Sequence, residues 1–416
     1  MRILSAALFA VILAGCGDVT NNQVKEGVVI DTESQANSDL EEIESVEKSD
    51  RPEKGGRRNE SQELDDFIGI TTGGTVQKDL FTVETTGVST AGIQKAAEEL
   101  LESLSTEESA KMAFEVDDNE WRQWSNVDNG VFSREGISIA DMNDTQKELA
   151  YGLMKSSLSA RGYALSRDIM KTDTTIGETL EDRDRYDEEL YFFTLMGTPS
   201  QTEPWGWQLD GHHLVVNFFV LGDQVVMTPV FMGGEPIVTT TGEHTGNIIM
   251  QEKQDVALAF MKTLSKEQQE RVIVTTEKTG NNTQTEAFKD NVQLAYEGIN
   301  ASEFSAEQKE DFLNVIDQYI GDMAEGHAAV KMDEIEMHID DTWFSWVGST
   351  SDDAIFYYRI HSPVVLIEFD HQGPVAFKTG DRSPTRDHIH AVVRTPNGND
   401  YGKDILRQHL IENHSE

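Results

Sequence analysis

His388-Ile389-His390 sets two imidazoles two residues apart. On a β-strand that spacing places both rings on one face. It is a common way to offer two nitrogen donors to a single divalent ion, with zinc and copper as the candidates. Packing explains the pair poorly, because buried imidazoles need polar partners. A second pair, His212-His213, opens the apolar run in "GWQLDGHHLVVN". If residues 210–218 form a regular strand, Asp210 and His212 share a face and His213 takes the other. The neighbours then reach one ion only through a bulge, for which Gly211 is the natural place. The expectation is that His212 or His213 converges with His361, His388 and His390 on one pocket.

Asp210, Glu368 and Arg359 are the candidate catalytic groups around such a site. Arg359 and Glu368 are separated by an odd number of residues, so on one straight strand they face opposite sides. Tyr357, Tyr358 and Arg359 supply donors able to orient an anionic or carbonyl-bearing ligand. An ion with an open position would polarise a carbonyl or activate water, for hydrolysis or oxidation; a metal-dependent hydrolase is the favoured enzymatic reading. The alternative is a non-catalytic protein that binds a small ligand or a protein partner in the same polar pocket. Isolated histidines (His244, His327, His338 and His414) read as core or edge residues. The sequence has no His-Glu-x-x-His helix, G-x-S-x-G elbow, phosphate-binding glycine loop, dinucleotide fingerprint or EF-hand spacing.

The elements that must hold these groups occur twice. Leu104-Ser105-Thr106-Glu107-Glu108 answers Leu264-Ser265-Lys266-Glu267-Gln268, and Gly136-Ile137 answers Gly298-Ile299. Phe193 to Gly197 answers Phe344 to Gly348, and "WGWQLDGHHLVVNFF" lies over "FYYRIHSPVVLIEFD". Four blocks in one order point to an α+β fold of two tandem copies, related by a pseudo-two-fold and spanning about 90–245 and 250–398. The apolar patterns predict helices over Ala97–Met112, Asn143–Ser159, Val256–Val272 and Ser305–Ile320. Strands are expected over Glu189–Met196, Trp205–Leu221, Gln224–Phe231, Thr342–Val347, Ile355–Asp370 and Ile389–Arg394. In the overlay Asp210 falls on His361, and His212-His213 falls on Pro363-Val364, so the polar residues are not shared symmetrically. The pocket is therefore expected where the copies meet.

Several of these stretches together resemble a known family. They are Trp207, Asp210-Gly211-His212-His213-Leu214, Thr228-Pro229, Gly233-Gly234, Tyr357-Tyr358-Arg359-Ile360, Ile367-Glu368 and His388-Ile389-His390. Asp400-Tyr401-Gly402-Lys403-Asp404 with His409 belongs to the same set. The chain resembles the family catalogued as domain of unknown function 3500 over nearly its whole body. Ser362-Pro363 stands where that pattern would have Gly-Pro, a departure that bears on the backbone there. The resemblance implies a domain boundary and no activity.

The N-terminus reads as a lipoprotein signal. Met1-Arg2 is basic, Ile3 to Leu13 is apolar, and Leu13-Ala14-Gly15-Cys16 resembles a bacterial lipobox. Residues 1–15 are the expected signal peptide. Cys16, the sole cysteine, is the expected lipidation site, and residues 16–66 form an acidic tether too poor in apolar residues to fold. The two repeats then occupy 67–249 and 250–416. Gly17 in place of Asp points to the outer membrane, with lipid as the membrane contact. With 75 Asp and Glu against 34 Lys and Arg, the net charge is −41. That charge excludes nucleic acid as a partner.

Overall fold

Side-chain alternation along the strands separates two chemistries, and the architecture follows from it. The computed structural model describes residues 64–414 apart from Thr379; the lipobox and the tether up to residue 63 lie outside this range. The first half runs α1 (Ala91–Glu102), α2 (Thr106–Met112), β1 (Ala113–Phe114), β2 (Ile137–Ser138), α3 (Asp144–Ser157) and α4 (Ala160–Leu180). It continues through β3 (Phe192–Met196), β4 (Trp205–Gly211), β5 (Leu214–Leu221), β6 (Gln224–Val226) and β7 (Val230–Gly234). The second half runs α5 (Gln251–Thr263), α6 (Lys266–Val272), β8 (Ile273–Thr275), β9 (Ile299–Asn300), α7 (Ala306–Ile320) and α8 (Glu325–Met337). Then come β10 (Trp343–Gly348), β11 (Phe356–His361), β12 (Leu366–His371), β13 (Ile389–Arg394) and α9 (Lys403–His414).

The fold is mixed α+β. Among the described residues, thirteen strands form one sheet in the order β1-β3-β4-β5-β7-β13-β12-β11-β10-β8, with β2, β6 and β9 paired at its side. Antiparallel β7 and β13 meet at the centre, Gly233 opposite His390. β1 and β8 are each parallel to their neighbours β3 and β10.

Capping sets the helix boundaries. Ser105, Asn143, Ser265 and Ser305 each close a capping box with Glu108, Gln146, Gln268 and Gln308, an N-cap contributing about 1 kcal/mol. The boxes at Ser105 and Ser265 correct two expectations. Each of the helices predicted over Ala97–Met112 and Val256–Val272 is two helices, because the serine stops one and starts the next.

The long predicted strands are corrected in the same way. Trp205–Leu221 is a hairpin: Gly211 pairs with Leu214, leaving His212 and His213 as the turn. Ile355–Asp370 is another, with His361 paired to Leu366 and the Ser362 N–H donating to the Val365 carbonyl. The first run's Asp210-Gly211 lies just before the turn rather than in it, and the second run has no Asn-Gly or Asp-Gly signal, so periodicity alone could not place the turns. Arg359 and Glu368 accordingly stand opposite each other on neighbouring strands rather than on two sides of one.

One face of the sheet is apolar and carries the helices. Its second half stacks Phe344, Trp346, Phe356, Tyr358 and Phe369, with successive ring centroids 4.2–6.3 Å apart. The other face is buried but polar: Gln208, Asp210, Asn217, Arg359, Glu368, Asp370, His390 and Arg394. Two long connections, 115–136 and 276–298, cover it. Backbone groups in a covered loop need partners, and these side chains supply them. Gln208 donates to the Trp121 carbonyl, and Glu368 accepts from the Gln284 and Thr285 N–H groups. Asp370 accepts from the Asn282 and Thr283 N–H groups.

Candidate metal centre

The centre lies where the β4–β5 turn meets the end of β7 and the start of β13. His213 occupies the turn in the left-handed region, φ 63°, which costs a residue other than glycine about 1–2 kcal/mol. Its N–H points to the Asn126 carbonyl at 3.4 Å, and its own carbonyl accepts from the Gly233 N–H at 2.8 Å. Two glycines make room. A Cβ on Gly211 would sit 2.1 Å from the Tyr191 ring, and one on Gly233 would sit 2.5 Å from the Ile389 carbonyl.

One nitrogen each from His213, His388 and His390 lies within 4.8 Å of the others. His388 Nε2 and His390 Nε2 are 3.0 Å apart, near the roughly 3.4 Å expected for two nitrogens about 2.0–2.1 Å from one tetrahedral ion. The far side of each ring is committed. His388 Nδ1 lies 2.7 Å from the Gly373 carbonyl, and His390 Nδ1 lies 2.8 Å from Glu286 Oε1. Both acceptors call for a proton on Nδ1, which leaves each Nε2 a lone pair facing the other. His213 Nδ1 is buried and without a partner. Burial, and then the neighbouring His212, His390 and His388, holds His213 well below the usual imidazole range. Burial and His390 push His388 down to about 3. These rings are neutral donors.

His212 stacks beside His213, ring centroids 3.8 Å apart, and its Nδ1 sits 2.6 Å from Asp173 Oδ1. Asp173 comes from α4. The Tyr191 hydroxyl lies 2.8 Å from Asp173 Oδ2 and 2.6 Å from the His212 carbonyl. Burial raises the Asp173 carboxyl above its ordinary value despite His212. Asp173, His212 and His213 thus form a second, overlapping group of donors.

Outer contacts fix Glu286. Arg394 donates to the Thr285 and Glu286 carbonyls and pairs with Asp290 and Asp400. The Tyr401 hydroxyl donates to Asp290, and Trp124 Nε1 donates to the Tyr401 oxygen. The Asp400-Tyr401 motif therefore acts at a distance, by holding the arginine that holds the Glu286 backbone. Glu235 does similar work on the other side. Its carboxylate accepts from the Val375, Ala376 and Phe377 N–H groups, just beyond Gly373. A cleft lined by Asn126, Thr283, Gln284, Glu286 and Lys289 reaches Glu286, the partner of His390, while the histidines themselves stay buried behind it.

The remaining sequence candidates lie elsewhere. His361 ends β11, its ring 4.6 Å from Tyr296. It stands two strands and four residues from His390, roughly 16 Å from it by ordinary strand spacing. The expected convergence is corrected accordingly: His361 is not in this group, because the hairpin turn puts it at the far end of its strand. Asp210 is paired with Arg134 at 3.0 Å. Arg359 is paired with Glu297 at 2.6 Å. Glu368 is taken up by the covering loop and by the Tyr357 hydroxyl at 2.6 Å. Asp173 and Glu286 were missed by sequence reasoning.

The family model described as "Protein of unknown function (DUF3500)" matches residues 86–403, most of the chain and both halves of the sheet. The chain belongs to the DUF3500 family. All three clustered histidines, with Asp173 and Glu286, fall inside the matched span of this DUF3500 chain. No curated protein and no solved structure matches it.

Proposed function

We propose that this DUF3500 protein is a metalloprotein of the bacterial envelope in which His213, His388 and His390 hold one divalent ion, zinc or copper. The carrying observation is the 3.0 Å approach of two Nε2 atoms whose Nδ1 partners are both acceptors. Two lone pairs at that distance repel, and a shared cation turns the repulsion into ligation. Three imidazoles with a position left over is the donor set of hydrolytic zinc sites, and a carboxylate behind a ligating histidine is the usual outer partner. The ion would polarise a carbonyl or lower the pKa of bound water. This favours a metal-dependent hydrolase over an oxidase or a non-catalytic binding protein.

The rest of the proposal concerns origin and place. Element order and sheet order, each reading alike outward from β7 and β13, support duplication of one α+β unit, with copies at 67–249 and 250–416. The lipobox supports lipid anchoring at Cys16. Among the described residues no helix is long and apolar enough to cross a membrane. Replacing Cys16 by Ser should move the protein out of the membrane fraction; unchanged fractionation would remove the anchor from the account. For the ion, zinc uptake by the wild type is compared with that by a His388→Ala, His390→Ala double variant. One ion per chain against none supports the site, and equal uptake contradicts it.

A further inference from the structure

On the helix-covered side of β7 and β13 lies a cavity of about 360 Å³. Val230, Met232 and Val393 form its floor. Along their strands they alternate with Gly233 and His390, so the cavity and the histidine cluster lie on opposite faces of the sheet. Helices α7 and α8 and the turn between them supply walls that include Met323, in the turn, and His327, on α8, and the extended segment Leu80–Thr86 forms the rim. That segment is tied down: the Asp223 carboxylate accepts from the Thr86 and Gly87 N–H groups, and Gln224 bonds the Thr82 carbonyl and the Glu84 N–H.

Protein interiors are otherwise close-packed, and a void this large falls within the range of small-molecule sites. Methionine linings adapt to irregular apolar shapes. Polar side chains line it too, and those of Thr85, Gln224, Thr228, Tyr319 and Asn399 are already hydrogen-bonded. His327 is 6% exposed and has no hydrogen-bond partner among the described residues, an uncommon state for a buried imidazole. The rim also selects by charge. Glu84, Asp333 and Glu334 line it, and its cation Lys331 is already bonded to Glu334 and to the Val364 carbonyl. An anionic ligand would meet these carboxylates on a chain of net charge −41. A cation would leave water for a floor of valine and methionine.

We propose that this cavity binds one small, uncharged, largely apolar molecule whose single hydrogen-bonding group meets His327. The inference is independent of the metal centre. The test titrates the full chain with N-phenyl-1-naphthylamine, a neutral apolar fluorophore, and with an anionic anilinonaphthalene sulfonate. Saturable binding of one neutral dye per chain, at least tenfold tighter than the anionic dye, is expected. Met232→Trp fills the floor and Met323→Trp fills the wall; either, if folded by circular dichroism, should weaken the neutral dye at least tenfold. His327→Phe should weaken 1-naphthol but leave the affinity for naphthalene within threefold. A signal that does not saturate, a preference for the anion, or full binding by a folded, filled variant overturns the proposal. The wild-type titration decides by itself if both tryptophan variants fail to fold.

Discussion

Two hairpin turns occupy corresponding places in the proposed halves, and they are built in opposite ways. In the second half Pro363-Val364 turns the chain without a positive φ, and the Ser362 hydroxyl accepts from the Val364 and Val365 N–H groups at 3.1 and 3.0 Å. The Ser362 side chain therefore satisfies the backbone where it stands. In the first half the same two places hold His212 and His213, the first with its ring bonded to a buried carboxylate, the second on a strained backbone with its Nδ1 left without a hydrogen bond among the described residues. Strain kept at a residue with an orphaned donor atom is a reason to look for a ligand. One turn is built for stability and the other for a site.

The largest expected effect comes from erasing that difference. Replacing His212-His213 by Pro-Val should abolish metal binding and leave the fold intact by circular dichroism; retained binding would break the comparison. His213→Asn, which tolerates the left-handed conformation, should cut metal affinity more than a hundredfold. It should leave the stability of the metal-free protein within about 1 kcal/mol, since the residue it replaces is strained. Denaturant titration and competition against a chelator measure the two quantities. An equal loss in both would assign His213 to packing.

Smaller effects should follow from the outer partners. Glu286→Gln should weaken the ion about 10–100-fold, the usual cost of losing a carboxylate behind a ligating histidine; Glu297→Gln, which touches Arg359 instead, should leave affinity unchanged. The smallest effect concerns His361, which the account places outside the site. Burial, and then Arg359, lowers its pKa to about 3. A histidine depressed in the folded state binds its proton more readily when unfolded. Stability from keeping His361 neutral is therefore complete above about pH 6.5 and lost as pH falls toward 3. It contributes at most about 1.4 kcal/mol per pH unit in that window. His361→Phe should flatten the acid side of the stability curve and leave metal content untouched.

Much of this was legible in particular residues. The same-face logic of His388 and His390 needs only alternation, and β13 begins and ends where the sequence places it. The helix starts at Asn143 and Ser305 were equally plain. The His212-His213 turn was not, because Gly211 reads equally as a bulge within one strand and the left-handed backbone at His213 leaves no mark in composition. Asp173 was hidden for a different reason: α4 buries Ser166, Thr172, Asp173, Thr174 and Thr175 among Ile169, Met170 and Ile176, so polar residues interrupt the apolar stripe by which a helix is recognised. Glu286 sits in a connection without period, placed by Arg394 from another strand. Buried Asp210, Glu368 and Arg359 looked catalytic in sequence for the reason they are structural in space. A polar sheet face must hydrogen-bond the loops that cover it.

X-ray absorption at the metal edge of the loaded wild-type protein tests the central claim most directly. The account predicts one ion per chain with three imidazole nitrogens at about 2.0–2.1 Å and at least one exchangeable oxygen donor, and loss of the imidazole signature in the His388→Ala, His390→Ala variant. No stoichiometric ion, or a spectrum of oxygen donors alone that the double variant leaves unchanged, would contradict it.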